Sequence, residues 1–145
     1  MAAVNFKLKN TNNEKRKISV FTANIQPATV TVADGFATAG TVATGDVITL
    51  GTIPANSIIV GAEVFVVTGL TTGTQTARLA VGGTEVMAAV AVGTASNITK
   101  GTTTKKKVSG AITLTTGVAD MVDGNLQVII SYIETDLGIG EFTAV

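Results

Sequence analysis

The chain has 145 residues, of which 46% are apolar, 4% aromatic and 14% charged, and ten basic residues balance ten acidic ones. It holds no His, Cys or Trp. That removes the imidazole that titrates near neutral pH, the thiol nucleophile, zinc sites of the Cys/His type and any disulfide framework. Zero net charge gives no electrostatic basis for general nucleic-acid binding, and the high apolar content argues against global disorder.

Taken in chain order, the residues alternate with period 2, and helical periodicity is nearly absent. Phe6 and Leu8 alternate with Lys7 and Lys9. A polar turn over Asn10 to Glu14 precedes Ile18 and Val20, and Val30 and Val32 alternate with Thr29 and Thr31. Asp46 to Ile53 reads as a strand that stops at Pro54-Ala55-Asn56. Ser57 to Thr68 reads as the strongest strand. Strict alternation puts Ile58, Val60, Ala62, Val64 and Val66 on one face and Ile59, Gly61, Glu63, Phe65 and Val67 on the other. Both faces are mostly apolar, which places this strand inside a sheet.

Gln75 to Val81 and Thr84 to Val90 flank Gly82-Gly83, a hairpin signal because primed turns need positive φ. That register pairs Val81 with Thr84 and Leu79 with Val86, and sets Arg78 diagonal to Glu85. Gly93 to Lys107 reads as a long polar loop. Val108 to Thr115 and Asn125 to Thr135 read as the last strands, with Leu126, Val128, Ile130 and Tyr132 on one face. The tail after Gly138 and Gly140 shows no period. Nine or ten short strands predict an all-β protein: one domain over 1–145, an antiparallel β-sandwich of jelly-roll or Ig-like type with extended terminal arms. The arms are a basic one at 1–13 and a tail at 137–145.

No motif carries catalysis. The Gly-rich runs lack the spacing of a nucleotide loop, and no nucleophile elbow or EF-hand loop is present. Asp120-Met-Val-Asp123-Gly124 reads as a carboxylate-bearing turn. Lys105-Lys106-Lys107 reads as a solvated run that guards a strand edge. Asn97-Ile98-Thr99 matches a glycosylation sequon, and MAAVNFKLKN has no apolar stretch of the secretory kind. The longest apolar run, 57–67, is too short to span a bilayer. A sugar site usually offers aromatic platforms, and Tyr132 is the sole Tyr. The expectation is therefore a protein without enzymatic activity, cofactor or metal.

The charges are unevenly placed. Lys7, Lys9, Lys15, Arg16 and Lys17 lie before residue 34 against Glu14 alone. Asp120, Asp123, Glu134, Asp136 and Glu141 lie after residue 107 with no base. Either these ends pair or stay solvated within one subunit, or the arm of one copy meets the tail of another. Apolar residues accompany both ends. The candidate assembly residues are Phe6, Leu8, Lys15, Arg16, Lys17, Leu137, Ile139 and Phe142.

The stretch from Gly45 to Val64, with its Ile53-Pro54-Ala55-Asn56 turn, resembles segments of small structural proteins of tailed bacteriophages. So does Gly124-Asn-Leu-Gln-Val-Ile-Ile-Ser-Tyr-Ile-Glu134, with its apolar-Xaa-Tyr close. The family includes head decoration or cement proteins and fibre and collar components. The resemblance implies a self-assembling β-sandwich on the exterior of a virion capsid, made in the bacterial cytoplasm. It implies a homo-oligomer, with a trimer favoured, and the major capsid protein or other virion proteins as partners, without nucleic acid or membrane. Other readings are a head–tail connector, a tail or fibre component, or a carbohydrate-binding or adhesin β-domain.

Overall fold

A computed structural model describes residues 6–8, 18–71, 73–93, 96–102, 106–135 and 142–144. Its strands are β1 (Phe6–Leu8), β2 (Ser19–Ile25), β3 (Val47–Ile53), β4 (Ser57–Thr68), β5 (Thr76–Val81), β6 (Thr84–Ala91), β7 (Ile98–Thr102), β8 (Lys106–Lys107), β9 (Gly110–Gly117), β10 (Asn125–Glu134) and β11 (Phe142–Ala144). Among the described residues, two single-turn 3-10 helices are the other regular elements.

Two antiparallel sheets face each other. One runs β2-β10-β4-β7, with β8 pairing the same side of β4 as β7. The other runs β3-β9-β5-β6. From β2 to β10, every connection crosses from one sheet to the other except β5–β6 and β7–β8. This winding is that of a jelly roll, so the Ig-like alternative falls away. Val, Ile, Leu and Ala fill the space between the sheets, with Met87 and Met121. Ile59, Val64, Leu79, Leu114, Leu126 and Ile130 are fully buried, each contributing about 1.5–3 kcal/mol over exposure to water.

The hairpin forms as the diglycine predicts. Gly82 and Gly83 have φ of 56° and 83°, the two positive values of a type I′ turn. Val81 pairs with Thr84, but Leu79 pairs with Met87 rather than Val86. The extra residue makes a bulge that lets Val86 and Met87 both be buried. Strand β4 spans the expected residues and lies inside its sheet, between β10 on one side and β7 and β8 on the other. Its faces differ from strict alternation. The register shifts beside Gly61, where Ser131 pairs with Gly61 and Tyr132 with Ile59. Ser57 and Ile59 therefore share the inward side with Ala62, Val64 and Val66. A bulge resets the period-2 parity, which no single-strand pattern displays.

Other expectations are corrected. Val30 and Val32 are not in a strand. Pro27 opens one 3-10 turn, and a second over Val32–Asp34 is closed by a reciprocal Thr31–Asp34 capping box and by Gly35 at φ 99°. These local hydrogen bonds compete with strand pairing and win. The loop expected over 93–107 contains β7 and β8, because the free side of β4 offers unpaired backbone groups that a polar segment can satisfy as well as an apolar one. The tail after Gly140 contains β11, which pairs with β1.

Candidate assembly surface

The surfaces that could act in assembly are built from four features: the terminal ribbon, the outer faces of the sheets, one loop end and the sheet edges. In the ribbon, β1 and β11 run antiparallel with Phe6 opposite Ala144, Lys7 opposite Thr143 and Leu8 opposite Phe142. The structure thus brings together the backbone of three sequence-predicted residues, Phe6, Leu8 and Phe142, within one chain. Lys15, Arg16, Lys17, Leu137 and Ile139 lie outside the described residues. A two-stranded ribbon is at best marginally stable by itself in water, so its stability depends on packing.

The outer faces differ in chemistry. On the β3-β9-β5-β6 sheet, Thr49, Thr113, Thr115 and Thr76 point outward. Arg78 Nε lies 3.5 Å from Glu85 Oε2 there, with both side chains 46% exposed, an ion pair worth about 0.2–1 kcal/mol. On the other sheet the outward residues include Val20, Phe65, Val67 and Ile129, with Glu63 among them. All but Val20 are half-buried.

One end of the sandwich is acidic and tied by hydrogen bonds. The Asp120 carboxylate accepts from the Thr44 backbone N–H at 2.7 Å and its hydroxyl at 2.9 Å. Those two donors hold the Asp120 carboxyl below its ordinary value of 3.8, because they favour the ionised form. Asp123 accepts from the Thr71 N–H at 3.0 Å and Asp46 from that of Ala43 at 2.9 Å. Buried Gln75 donates from Nε2 to the Asp120 carbonyl at 3.0 Å. The Asp120–Gly124 stretch is thus a turn-forming segment that stitches three loops together. Among the described residues, no group of three or more acidic side chains could hold a metal ion, and no helix is long and apolar enough to cross a membrane.

Val118, in the same end, has φ of 70° and is 70% exposed. The Ala119 N–H donates to the Gly117 carbonyl at 2.9 Å, so Val118 is the centre of a γ-turn, strained for a β-branched residue. Nearby, an open pocket of about 350 Å³ is lined by Asp34, Phe36 and Asp46 among others. Its two carboxylates are engaged in turns: Asp34 accepts from the Thr31 hydroxyl at 2.7 Å and Asp46 from Ala43. This is not the geometry of a free acid–base pair.

The edge at β2 is the feature that sequence reading missed. Strand β2 is an outer strand of its sheet, with Val20 57% exposed and Ile18 just before it 58% exposed. The signal was present in Ser-Val-Phe-Thr-Ala-Asn-Ile, a strand-forming run with no charge, Gly or Pro. Which strands become edges is set by the sheet order, which that run does not contain.

No protein-family model matches the chain, and no curated protein matches it. Among solved structures, it is similar to a chain of the cyanophage Pam1 capsid asymmetric unit. The TM-score is 0.61 at 20% identity, covering 92% of this chain and 91% of that one. Likeness at that identity establishes a shared fold over almost the whole length of both chains.

Proposed function

We propose that this chain is a non-enzymatic structural protein of a phage virion that binds the outside of the capsid lattice and stabilises it as a decoration protein. The observation that carries this reading is the full-length structural likeness to a chain of the cyanophage Pam1 capsid asymmetric unit. The chemistry of the surface supports it. Asp120 and Asp123 at the loop end accept hydrogen bonds that join separate loops, and the chain offers neither His nor Cys for catalysis.

Decoration works through many weak contacts repeated over a lattice, which raise avidity without any single strong one. The terminal segments, 1–13 and 137–145, are the proposed arms. The ribbon formed by β1 and β11 places Phe6, Leu8 and Phe142 on one element. Burying one such Phe on a neighbour contributes about 1.5–3 kcal/mol, whereas an exposed ion pair made by Lys15, Arg16 or Lys17 adds about 0–1 kcal/mol. Apolar anchoring then sets affinity, and charge sets register.

The test uses capsids of the phage that encodes this chain, prepared without it. The full-length protein should co-sediment with them to a fixed stoichiometry and raise the temperature at which they break. Deletion of 1–13 or of 137–145 should leave the strand-rich circular dichroism intact and weaken binding at least tenfold. Absence of saturable binding by the full chain overturns the decoration reading, and undiminished binding by both truncated forms moves the contact to another surface.

A further inference from the structure

Among the described residues the sandwich has four open strand edges, and three of them carry devices that prevent further pairing. On β6 the register with β5 shifts twice and Glu85 sits on the strand. The β7–β8 edge is split into two short pieces, and β8 carries exposed Lys106 and Lys107. On β3 the register with β9 shifts between Thr49 and Gly51. Bulges, breaks and lysines are the means by which edges avoid pairing with other chains.

Strand β2 has none of these. All seven of its residues pair in unbroken register with β10, from Ser19 opposite Tyr132 to Ile25 opposite Leu126. Among the described residues nothing pairs with its other side, which presents a regular row of backbone donors and acceptors with no charge, Pro or bulge to interrupt it. The exposed large apolar residues show the same asymmetry. Ile18 and Val20 lie at β2 and Val47 on β3, while the β6 and β7–β8 edges have none among the described residues.

We propose that β2 pairs with β2 of a second copy of this chain, antiparallel about a twofold axis at Thr22, joining two β2-β10-β4 sheets into one continuous sheet. The sequence is self-complementary in that register, which sets residue 19 opposite 25, 20 opposite 24, 21 opposite 23, and 22 opposite itself. On the inward face, bulky Phe21 meets small Ala23 of the partner subunit, and the reverse holds on the other side of the axis. On the outward face, Thr22 meets its own twin, a favourable cross-strand pair. No register position sets like charges against each other, since the strand has no charge.

The antiparallel register brings the start of β2 in one copy to one end of the second copy. That end is the one where β10 begins and where Asp120 and Asp123 lie, with Asp34 and Asp46 in the neighbouring loops. The twofold symmetry differs from the trimer implied by the phage-protein resemblance, and it does not depend on which virion surface the protein binds.

The experiment uses the full chain and its lack of Cys. Analytical ultracentrifugation should give a dimer that dissociates on dilution. Thr22→Cys should form an intermolecular disulfide under mild oxidation, because directly opposed residues place their Cβ atoms about 5 Å apart. Val20→Cys should cross-link at least tenfold more slowly, since twin residues four positions out of step are about 14 Å apart along the strands, beyond disulfide reach. Thr22→Lys, at an exposed position, should keep the wild-type circular dichroism and raise the dissociation constant at least tenfold. A monomer at the highest concentration, a trimer mass, or equal cross-linking at positions 20 and 22 overturns the proposal.

Discussion

The two sides of the sandwich are closed in different ways. On the side of β6, β7 and β8, the edges are tied together. Lys106 of β8 donates from Nζ to the Glu85 carbonyl of β6 at 2.6 Å, and Gly101 of β7 lies against the backbone of Ala62 and Glu63 on β4. On the side of β2 and β3, a ring does the sealing. A Cβ placed on Gly51 of β3 would lie 2.6 Å from the Phe21 ring of β2. One side is fixed by backbone and charge, and the other by a side chain that can swing. The difference bears on where the proposed neighbour fits: the tied side is guarded by bulges and lysines, and the ring-sealed side keeps the regular edge of β2.

Paired substitutions at the two glycines break this comparison most sharply. A Cβ at Gly101 would come within 2.5 Å of the Ala62 carbonyl oxygen and 2.7 Å of the Glu63 Cα, both backbone atoms of a central strand. Gly101→Ala should therefore destabilise by about 2–3 kcal/mol, the upper range for overpacking. Gly51→Ala meets a comparably close contact, but with the far end of a ring that is itself half-exposed. The cost there should be about 1 kcal/mol, since the ring can rotate outward. Urea midpoints at constant slope measure both, and equal losses would mean that the β2–β3 side is as rigid as the other.

Cutting the strap should have a smaller effect. Lys106→Met keeps the stem and removes the donor to Glu85, and should cost about 0.5–1.5 kcal/mol. Hydrogen exchange should rise at the backbone of β8 and β6 and stay unchanged at β2. Faster exchange at β2 would show that the two sides are coupled.

The smallest effect is confined to acid and concerns neither side but the loop end that joins the sheets. Asp120 has a depressed folded-state pKa, so its contribution is fully present above the ordinary value of 3.8. It is lost as pH falls from there through the folded value. Asp120→Asn should flatten the stability profile below about pH 4 relative to wild type. Urea unfolding between pH 2 and 6 measures it, and parallel profiles would show that the Thr44 contacts are not made in solution.

Much of the fold was legible in local sequence. The strands β3, β4, β5, β6 and β10 follow from period-2 patterns bounded by Pro54, Gly69, Gly82-Gly83 and Gly124. Burial requires alternation, and turns require residues that accept positive φ. Tertiary pairing decided the rest. The bulges beside Gly61 and at Val86 change which residues face the core, and only the partner strand reveals them. Polar β7 and β8 became strands because β4 had a free side to satisfy. The candidate surface divides in the same way. The apolar residues and charges near the termini are visible in the sequence, and so is the uncharged run from Ser19 to Ile25. That this run lies at an edge, beside guarded ones, is a property of the order β2-β10-β4-β7. Sheet order arises from long-range hydrogen bonding, and a strand's own residues do not encode it.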